Sequence, residues 1–411
     1  MSSQQYCSFC GSRLSGSDLF LRSSSHAVIC GACVQRAHEA LHGADPEEAK
    51  RPAFDVKALE VPKPYKIKGF LDQYVIGQHD AKKRLAVAVY NHYKRIAQNN
   101  VSKEDVELEK SNIIMLGETG TGKTLLANTI ARMLDVPFAI VDATVLTEAG
   151  YVGEDVESII TRLLQNANFK VAAAEKGIVF IDEIDKVSRK SDNPSITRDV
   201  SGEGVQQALL KLLEGSIINA PPQGGRKHPE QKMIPVNTKD ILFIAGGAFE
   251  GLDKIIARRL NVSAIGFNAG ERRSRVNSNN LLQYVTPTDL RQFGLIPEII
   301  GRLPVITHLE SLDKTALRQI LTEPKNAIVK QYVKLFALDN VKLSIDEEVL
   351  DYIVDEAIKH KVGARGLRAI CEELLMDAMY ELPEDDRIEE LHITKSYAQE
   401  KLANTFDQQA A

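Results

Sequence analysis

Residues 117–124, Gly-Glu-Thr-Gly-Thr-Gly-Lys-Thr, have the types and spacing of a loop that binds phosphate groups. Glycines at its fixed positions let backbone N–H groups turn inward around a polyphosphate, and a following helix N-terminus adds partial positive charge. Lys123 can reach the β- and γ-phosphates, and the Thr124 hydroxyl can ligate Mg²⁺. The pattern therefore predicts a bound nucleoside triphosphate with Mg²⁺. The predicted contacts are the loop and the next residue along the chain: Gly117, Glu118, Thr119, Gly120, Thr121, Gly122, Lys123, Thr124 and Leu125.

Two adjacent carboxylates, Asp182 and Glu183, follow a run of four apolar residues about 60 residues beyond this loop. A carboxylate at a strand end beside a phosphate loop can hold the Mg²⁺ shell, which is the role predicted for Asp182. The neighbouring carboxylate can polarise the attacking water, the role predicted for Glu183. An Asp-Glu pair alone is weak evidence, but behind a complete phosphate loop it predicts nucleotide hydrolysis.

Four of the five cysteines lie in the first 33 residues, at Cys7, Cys10, Cys30 and Cys33. Two C-x2-C pairs separated by nineteen residues fall in the range of structural zinc sites. Four thiolates would close a tetrahedral shell around Zn²⁺, so the metal is predicted to stabilise a small module rather than to catalyse. The alternative is four unrelated buried cysteines. The balanced charge of residues 1–45 favours a module that binds protein over one that binds nucleic acid. The remaining cysteine, Cys371, is predicted to be a core residue.

Apolar runs that recur at helix-sized intervals predict the framework for these groups. The predicted strands are 113–116, 138–141, 178–181, 241–245 and 305–306. The main predicted helices are 80–97, 125–134, 203–214, 314–338, 346–360 and 364–380. Strands that alternate with helices predict an α/β fold with a parallel sheet and a ligand at the carboxyl ends of the strands.

Changes in composition divide the chain into four parts. We predict a zinc module at 1–45, a proline-containing linker at 46–64, a large α/β domain at 65–310 and a small, mainly helical domain at 311–411. The last residues, 404–411, are polar and are expected to form a frayed tail.

Three apolar groups keep more than one interpretation. Val75 and Ile76 are either ordinary core residues or flank an adenine ring. Tyr151 and Val152, bracketed by glycines, either form an exposed mobile tip or fold back onto the core. Residues 265–267, Ile-Gly-Phe, lie in a stretch rich in Gly and Asn, which indicates an exposed tip that docks a partner. The alternative is that Ile265 and Phe267 pack into the core.

The composition of the 411-residue chain excludes several classes of protein. Its net charge of −5 is mild, whereas domains that bind polyanions tend to be strongly basic. No apolar run approaches the roughly 18 residues of a membrane span. The polar residues 1–10 lack the apolar core of a signal peptide. We therefore expect a cytoplasmic protein with neither a nucleic-acid nor a membrane partner.

Together these motifs closely resemble the AAA+ unfoldases of the Clp (Hsp100) family that deliver proteins to the ClpP peptidase. The resemblance covers essentially the whole chain. It rests on the four-cysteine module and on residues 117–124, 150–153, 181–183, 226–228, 265–267, 301–302 and 363–365, which occur in the order typical of the family.

The resemblance implies a ring-shaped homohexamer in which ATP lies between a large and a small AAA+ domain. Hydrolysis would unfold protein substrates and thread them into a separate peptidase, and the zinc module would bind adaptor proteins and some substrates. Arg302 resembles the arginine finger that reaches a neighbour's γ-phosphate, and Arg365 resembles the second sensor of nucleotide state.

The resemblance also assigns substrate and partner contacts. The implied pore residues are Tyr151 and Val152 in the axial loop, Arg198 in a second loop, and Arg226, Lys227 and His228 at the entrance. The implied ClpP-docking residues are Ile265, Gly266 and Phe267. One departure from the AAA+ pattern is Ala245-Gly246-Gly247, which lacks the polar side chain of a first sensor, so none is assigned.

Two other functions share some of these features. A nucleic-acid motor or clamp loader could use the same nucleotide core, but its pore is expected to carry Lys and Arg, whereas the foremost loop here offers Tyr151 and Val152. A zinc-dependent binding protein could use ATP only as an assembly switch. The combination of Glu183 and Arg302 argues against that alternative.

Overall fold

The computed structural model describes residues 5–10, 13–14, 20–22, 27–31, 33–34, 61–98, 108–147, 154–188, 202–221, 233–263, 280–360, 363–384 and 388–408. The chain forms two compact units, residues 1–59 and 60–411.

The N-terminal unit contains short antiparallel strand pairs. Its strands are β1 (Gln5–Tyr6), β2 (Arg13–Leu14), β3 (Phe20–Arg22) and β4 (Val28–Cys30). β1 pairs with β2, and β3 pairs with β4 so that Phe20 lies opposite Cys30. Strands of two or three residues bury little apolar surface, and the buried residues include Cys7, Val28 and Cys33. The described part of this unit therefore shows few apolar contacts with which to hold a fold.

The large domain of the second unit is built from strands that alternate with helices. Its strands are β5 (Ile113–Leu116), β6 (Phe138–Asp142), β7 (Leu146–Thr147), β8 (Glu154–Asp155), β9 (Ile178–Asp182), β10 (Ile217–Ala220), β11 (Ile234–Asn237), β12 (Leu242–Gly247) and β13 (Val305–His308). Its helices are α1 (Pro64–Asp72), α2 (His79–Gln98), α3 (Lys123–Leu134), α4 (Ser158–Asn166), α5 (Val171–Ala174), α6 (Glu203–Glu214), α7 (Leu252–Ser263), α8 (Pro287–Phe293) and α9 (Pro297–Arg302).

The central sheet is parallel and has the order β13-β5-β12-β9-β6. Ile113 of β5 lies opposite Ile244 of β12 on one side and Val305 of β13 on the other. All four residues of β5 are fully buried, which is why this strand is a continuous apolar run rather than an alternating one. The predicted parallel α/β sheet is confirmed, and each predicted strand overlaps an observed one.

The small domain surrounds its own apolar core. Its elements are α10 (Lys314–Thr322), α11 (Ile328–Leu338), β14 (Lys342–Ile345), α12 (Glu347–Lys359), α13 (Gly363–Glu381), β15 (Glu390–Ile393) and α14 (Lys395–Gln408). The centre of this core is fully buried at Leu321, Val349 and Leu367. The domain is mainly helical, as predicted, but β14 and β15 form a parallel pair that the sequence did not indicate.

The predicted helix over 314–338 and part of the predicted tail are wrong, and one helix begins at the last residue of the predicted linker. The single helix predicted over 314–338 is two helices, α10 and α11, because Pro324 lacks the N–H that a continuous helix needs. α1 begins at Pro64, inside the predicted linker, where proline at the first turn leaves no helical hydrogen bond unmade. α14 is helical through Gln408, so the predicted frayed tail is wrong for residues 404–408.

Candidate active site and cysteine cluster

The phosphate loop connects the end of β5 to the start of α3. Gly122, which directly precedes α3, has φ +103°, a left-handed conformation that favours glycine. At Gly117 a Cβ would lie 3.0 Å from Leu309 Cβ and 3.2 Å from the Leu309 carbonyl oxygen, so a side chain has no room there. The chain therefore needs glycine at both positions to close the loop against the rest of the domain.

The Lys123 ammonium lies inside the curve of this loop. Its Nζ donates to the carbonyl oxygens of Gly117 at 2.6 Å and Glu118 at 2.9 Å. Burial lowers the pKa of Lys123, and the nearby carboxylates of Asp182 and Asp185 oppose that change. A cation therefore faces the ring of backbone groups that would receive a polyphosphate.

The two predicted carboxylates lie where β9 ends, next to α3. Thr124 Oγ1 donates to Asp182 Oδ2 at 3.2 Å, and the Glu183 N–H donates to Asp182 Oδ1 at 3.0 Å. This hydroxyl and this carboxylate are oxygen ligands of the kind Mg²⁺ prefers, and they lie beside the phosphate loop, so they fit a Mg²⁺ ion. Glu183 has φ +55°, a left-handed conformation that is uncommon for a residue with a side chain, and it is exposed.

These groups line an open cleft of about 400 Å³ to which both domains contribute. The large domain contributes the phosphate loop, Asp182 and Glu183, and the small domain contributes Ile320, Ala364 and Arg365. Gly120 lies so close to α13 that a Cβ there would be 3.9 Å from Arg365 N and from Arg365 Cγ. Arg365 is thus placed opposite the loop, at the start of a small-domain helix.

Residues 73–78, between α1 and α2, contact both domains. Gln78 Nε2 donates to the Glu310 carbonyl at 2.8 Å, and the Glu310 N–H donates back to Gln78 Oε1 at 2.8 Å. The Lys325 N–H of the small domain donates to the Gln73 carbonyl at 2.8 Å. This segment therefore bridges the boundary between the large and small domains beside the cavity.

Val75, in the middle of that segment, is buried against the phosphate loop. Its Cγ1 lies 3.8 Å from the position that a Cβ of Gly122 would take. Ile76 is half-buried, and neither Val75 nor Ile76 is among the described residues that line the cavity. Val75 is therefore packed like a core residue and also lies near the phosphate loop. A contact between Val75 and an adenine ring stays a prediction.

Asp185 is a cavity residue to which the sequence analysis gave no role. It is buried, and its Oδ1 accepts the Ala248 N–H at 3.2 Å. A Cβ on Gly247 would lie 2.4 Å from that oxygen, and a Cβ on Gly246 would lie 2.7 Å from Phe180 Cζ. The end of β12 therefore has no space for a side chain, which explains why no polar sensor occurs there. The only sequence signal for Asp185 is its position three residues after Asp182.

Arg302 lies away from this cavity, at the last residue of α9 and just ahead of the edge strand β13. Its guanidinium contacts Glu214, with Nη2 at 3.0 Å and Nε at 3.2 Å from Oε1. Both side chains are about half exposed, so the pair contributes little to stability. Within one subunit the structure does not bring Arg302 to the phosphate loop.

The predicted pore and docking contacts lie outside the described residues. They are Tyr151, Val152, Arg198, Arg226, Lys227, His228, Ile265, Gly266 and Phe267. Their assignments stay predictions.

The four N-terminal cysteines converge in the first unit. Their sulfur atoms all lie within 4.8 Å of one another, and Cys10 Sγ is 3.8 Å from Cys30 Sγ. A tetrahedral Zn²⁺ site with bonds of about 2.3 Å holds its sulfurs about 3.8 Å apart, so the cluster fits that ion. Cys371 is buried in the small-domain core, as predicted.

The pKa values of two of these thiols, Cys7 and Cys33, are shifted in opposite directions. Backbone N–H groups, first of Cys10 and then of Cys30, lower the pKa of Cys7 to about 6. Hydrogen bonding with the Cys10 thiol, together with burial, raises the pKa of Cys33 to about 12. Four crowded thiols cannot all ionise without a cation among them, so the chemistry of this donor set favours a metal.

Comparisons with known protein families agree with the fold and the site. Residues 108–306 match the AAA domain (Cdc48 subfamily), and residues 312–395 match the C-terminal, D2-small domain of ClpB protein. A parallel sheet of this order, a phosphate loop and a small helical domain that closes the cavity define an AAA+ ATPase.

Similarity to individual proteins identifies the family within this class of ATPases. The chain is 62% identical over 399 residues to the ATP-dependent Clp protease ATP-binding subunit ClpX of Bacteroides fragilis, covering 96% of this chain and 95% of that protein. It is 61% identical over 397 residues to the subunit of the same name from Bacteroides thetaiotaomicron, covering 96% and 95%. The corresponding subunit of Porphyromonas gingivalis is 61% identical over 399 residues, covering 97% and 96%.

The chain belongs to the ClpX family. The expected resemblance to Clp unfoldases is thereby confirmed, and the protein is an ATP-hydrolysing AAA+ enzyme of the ATP-dependent unfoldase type. Within the described ranges, no helix has the length and apolar character to cross a membrane.

Proposed function

We propose that this protein is the unfolding and translocating ring of a two-component protease in the cytoplasm. Its copies form a homohexamer that stacks on a separate ClpP peptidase ring and passes unfolded polypeptide into it. The relatives' name, ATP-binding subunit of an ATP-dependent Clp protease, supports the pairing with a peptidase.

In the proposed hydrolysis reaction, the chain mainly positions groups and neutralises charge. Lys123 contacts the β- and γ-phosphates, and the loop N–H groups from Gly117 to Thr124 surround them. Thr124 and Asp182 hold Mg²⁺, which when bound neutralises phosphate charge. Glu183 orients the attacking water toward the γ-phosphorus and accepts its proton. The bond from the water oxygen to the γ-phosphorus forms as the bond to the β–γ bridging oxygen breaks, and ADP is the leaving group. The contact between Thr124 and Asp182 at 3.2 Å supports this division of roles.

Two arginines complete the proposed site from different directions. Arg365 contacts the phosphates from the small domain, so that the angle between the domains follows the nucleotide state. Its place opposite Gly120 supports this role. Arg302 serves the site of the neighbouring subunit, since within its own subunit it lies at the sheet edge and not in the cavity.

Substrate and partner contacts follow from the family motifs. Tyr151 and Val152 grip the threaded chain, helped by Arg198 and by the basic residues 226–228. Residues 265–267 dock on ClpP. The zinc module, with Zn²⁺ on Cys7, Cys10, Cys30 and Cys33, binds adaptor proteins and some substrates.

The observation that carries the proposal is the cavity shared by the phosphate loop, Glu183 and Arg365. The test follows unfolding of a fluorescent protein with an unstructured tail, together with its degradation when ClpP is added. Glu183→Gln should bind ATP and assemble, yet lose turnover and unfolding by a factor of order a hundred or more. Phe267→Ala should keep ATPase and unfolding while losing degradation. Substantial turnover by Glu183→Gln would overturn the catalytic assignment, and normal degradation by Phe267→Ala would overturn the docking assignment.

A further inference from the structure

The short helix α9, which ends in Arg302, is held at both ends by the carboxamide of a buried side chain. α9 spans only six residues, Pro297–Arg302, too few to hold a fixed position by its own hydrogen bonds. Gln206 contacts the chain where α9 begins, and Asn112 contacts the last residue of α9. Their side chains are 0% and 1% exposed, so these bonds have no competition from water.

Gln206, in α6, joins the start of α9 to the segment that follows Glu183. Its Oε1 accepts the N–H of Ile296, the residue that directly precedes α9, at 2.8 Å. Its Nε2 donates to the Val187 carbonyl at 2.8 Å and to the Gly294 carbonyl at 3.3 Å. Val187 ends the 3₁₀ turn Ile184–Val187, which begins at the residue after Glu183. One side chain thus connects the catalytic carboxylate segment to the entry of α9.

Asn112 joins the other end of α9 to the strand that leads into the phosphate loop. Its Nδ2 donates to the carbonyl of Arg302 itself at 2.9 Å, and its Oδ1 accepts the Phe243 N–H of β12 at 3.3 Å. Its own carbonyl accepts the Val305 N–H at 3.3 Å. Asn112 directly precedes β5, so the backbone of Arg302 is fixed relative to the strand that leads into Gly117.

Both carboxamides use a donor and an acceptor at once, and this sets their geometry. An apolar side chain of the same length would leave two or three buried backbone groups without partners, a costly outcome. The outward-facing guanidinium of Arg302 is in turn held by Glu214, at the end of the same helix that carries Gln206.

We propose that Gln206 and Asn112 are positioning residues for the arginine finger, tying the place of Arg302 to its own subunit's phosphate loop and carboxylate segment. A change in the position of β5 or of the residues after Glu183 then moves the finger that enters the next subunit's site. The two buried side chains provide a direct physical connection between successive sites of the ring. This inference rests on the proposed role of Arg302 in trans.

The test uses full-length rings with Gln206→Met and, separately, Asn112→Leu. Each variant should bind nucleotide within about twofold of the parent, because Lys123 and the loop are unchanged. Each kcat should fall by about tenfold or more, since small displacements of a catalytic group are costly. Leu209→Ala, a fully buried apolar change in the same helix, is the stability control. It should lower the melting temperature without this loss of kcat per folded subunit.

Rings that mix two kinds of subunit distinguish a misplaced Arg302 from damage to the variant subunit's own ATP site. An excess of Glu183→Gln subunits, inactive themselves, supplies intact Arg302 to their neighbours. The ATPase rate per Gln206→Met or Asn112→Leu subunit should therefore rise several-fold in the mixed rings. It should approach the rate per parent subunit when parent subunits are mixed with the same excess of Glu183→Gln. A lack of rescue would place the defect in the variant's own site and overturn the inference.

Mixing Arg302→Ala with the same Glu183→Gln excess tests the premise separately. Rescue there, without rescue of Gln206→Met and Asn112→Leu, rejects the positioning role alone. Absence of rescue for Arg302→Ala rejects the proposed finger in trans. A kcat loss by Leu209→Ala equal to that of Gln206→Met, at equal loss of melting temperature, would show a merely structural effect and would also overturn the inference.

Discussion

The Thr124 hydroxyl donates to Asp182 Oδ2 at 3.2 Å, which joins the first turn of α3 to the carboxyl end of β9. Residues 58 positions apart thus place side by side, at the phosphate loop, two oxygen atoms of the kind that Mg²⁺ prefers. The other Asp182 oxygen accepts the Glu183 N–H, so the carboxylate also fixes the start of the segment that holds the proposed base.

Asp182→Asn should weaken the dependence on Mg²⁺ while leaving the fold intact. The amide oxygen can still accept the Thr124 hydroxyl, but it carries no charge for the ion, so half-saturation should need of order tenfold more Mg²⁺. ATPase rates measured against Mg²⁺ concentration check this. Thr124→Ser keeps the hydroxyl and is the matched control, expected to titrate like the parent. An unchanged Mg²⁺ requirement in Asp182→Asn would contradict the metal role.

Gly247→Ala should destabilise the protein by about 1–3 kcal/mol, because the added carbon meets a packed interior. Its Cβ would lie 2.4 Å from Asp185 Oδ1 and 2.7 Å from Phe249 Cε2. Gly69→Ala is the control, since nothing lies within 4 Å of its Cβ position and it is inside α1. There alanine should stabilise by up to about 1 kcal/mol. Thermal melting of both variants tests this prediction. Equal melting temperatures would show that the residues around the end of β12 move to make room for the added carbon at little cost.

Lys110 should make stability rise with pH above neutrality. Burial, and then the charge of Arg95, lower the pKa of Lys110 to about 7, although Asp240 opposes the change. Its Nζ donates to the Thr238 carbonyl at 2.8 Å and lies 4.5 Å from the centre of the Phe243 ring. Because the unfolded chain holds this proton up to about pH 10.4, it binds more protons than the folded state between about pH 7 and 10.

The free energy of unfolding should therefore increase through that window, and Lys110→Met should flatten the increase. Denaturant titrations at pH 7, 8 and 9 measure the slope in both proteins. Lys83→Met, which removes an exposed lysine of α2, should keep the parent's slope. A parent slope that Lys110→Met leaves unaltered would assign the pH dependence to other groups.

Removal of zinc should unfold the N-terminal unit and spare basal ATPase. The short strands described there bury little surface, so a metal on the four cysteines would supply most of the folding free energy of that unit. Metal analysis of protein prepared under reducing conditions should find one Zn²⁺ per chain. A strong zinc chelator should then expose residues 1–45 to protease while the ATPase rate stays near the parent value. Protein that is folded in this region without metal would refute the site.

The sequence was most informative where function depends on local order. Residues 113–124 form a strand, a loop and a helix in direct succession, and the structure places them accordingly. Likewise Asp182 ends β9 and Glu183 directly follows it, so their position at the sheet end could be predicted from the parallel pattern alone. Pro324 also carried a readable signal, since a helix predicted through it had to break.

Contacts between distant residues could not be predicted in this way. Gln206 meets Ile296 ninety positions away, and Asn112 meets Arg302 at a separation of 190. Buried Asn and Gln have no periodic pattern, because their partners are backbone groups that any residue offers. The parallel pair β14 and β15 was missed for a similar reason, since strands of four residues within helical sequence carry little signal.

The contacts of residues 73–78 give the small domain a second attachment to the large domain. The chain itself crosses between the domains near Glu310, and the Lys325–Gln73 hydrogen bond forms a second, separate attachment. If both attachments are kept while the small domain moves, the motion left to it is rotation about the line that joins them. The start of α13, which carries Arg365, would then approach and leave the phosphate loop along one arc.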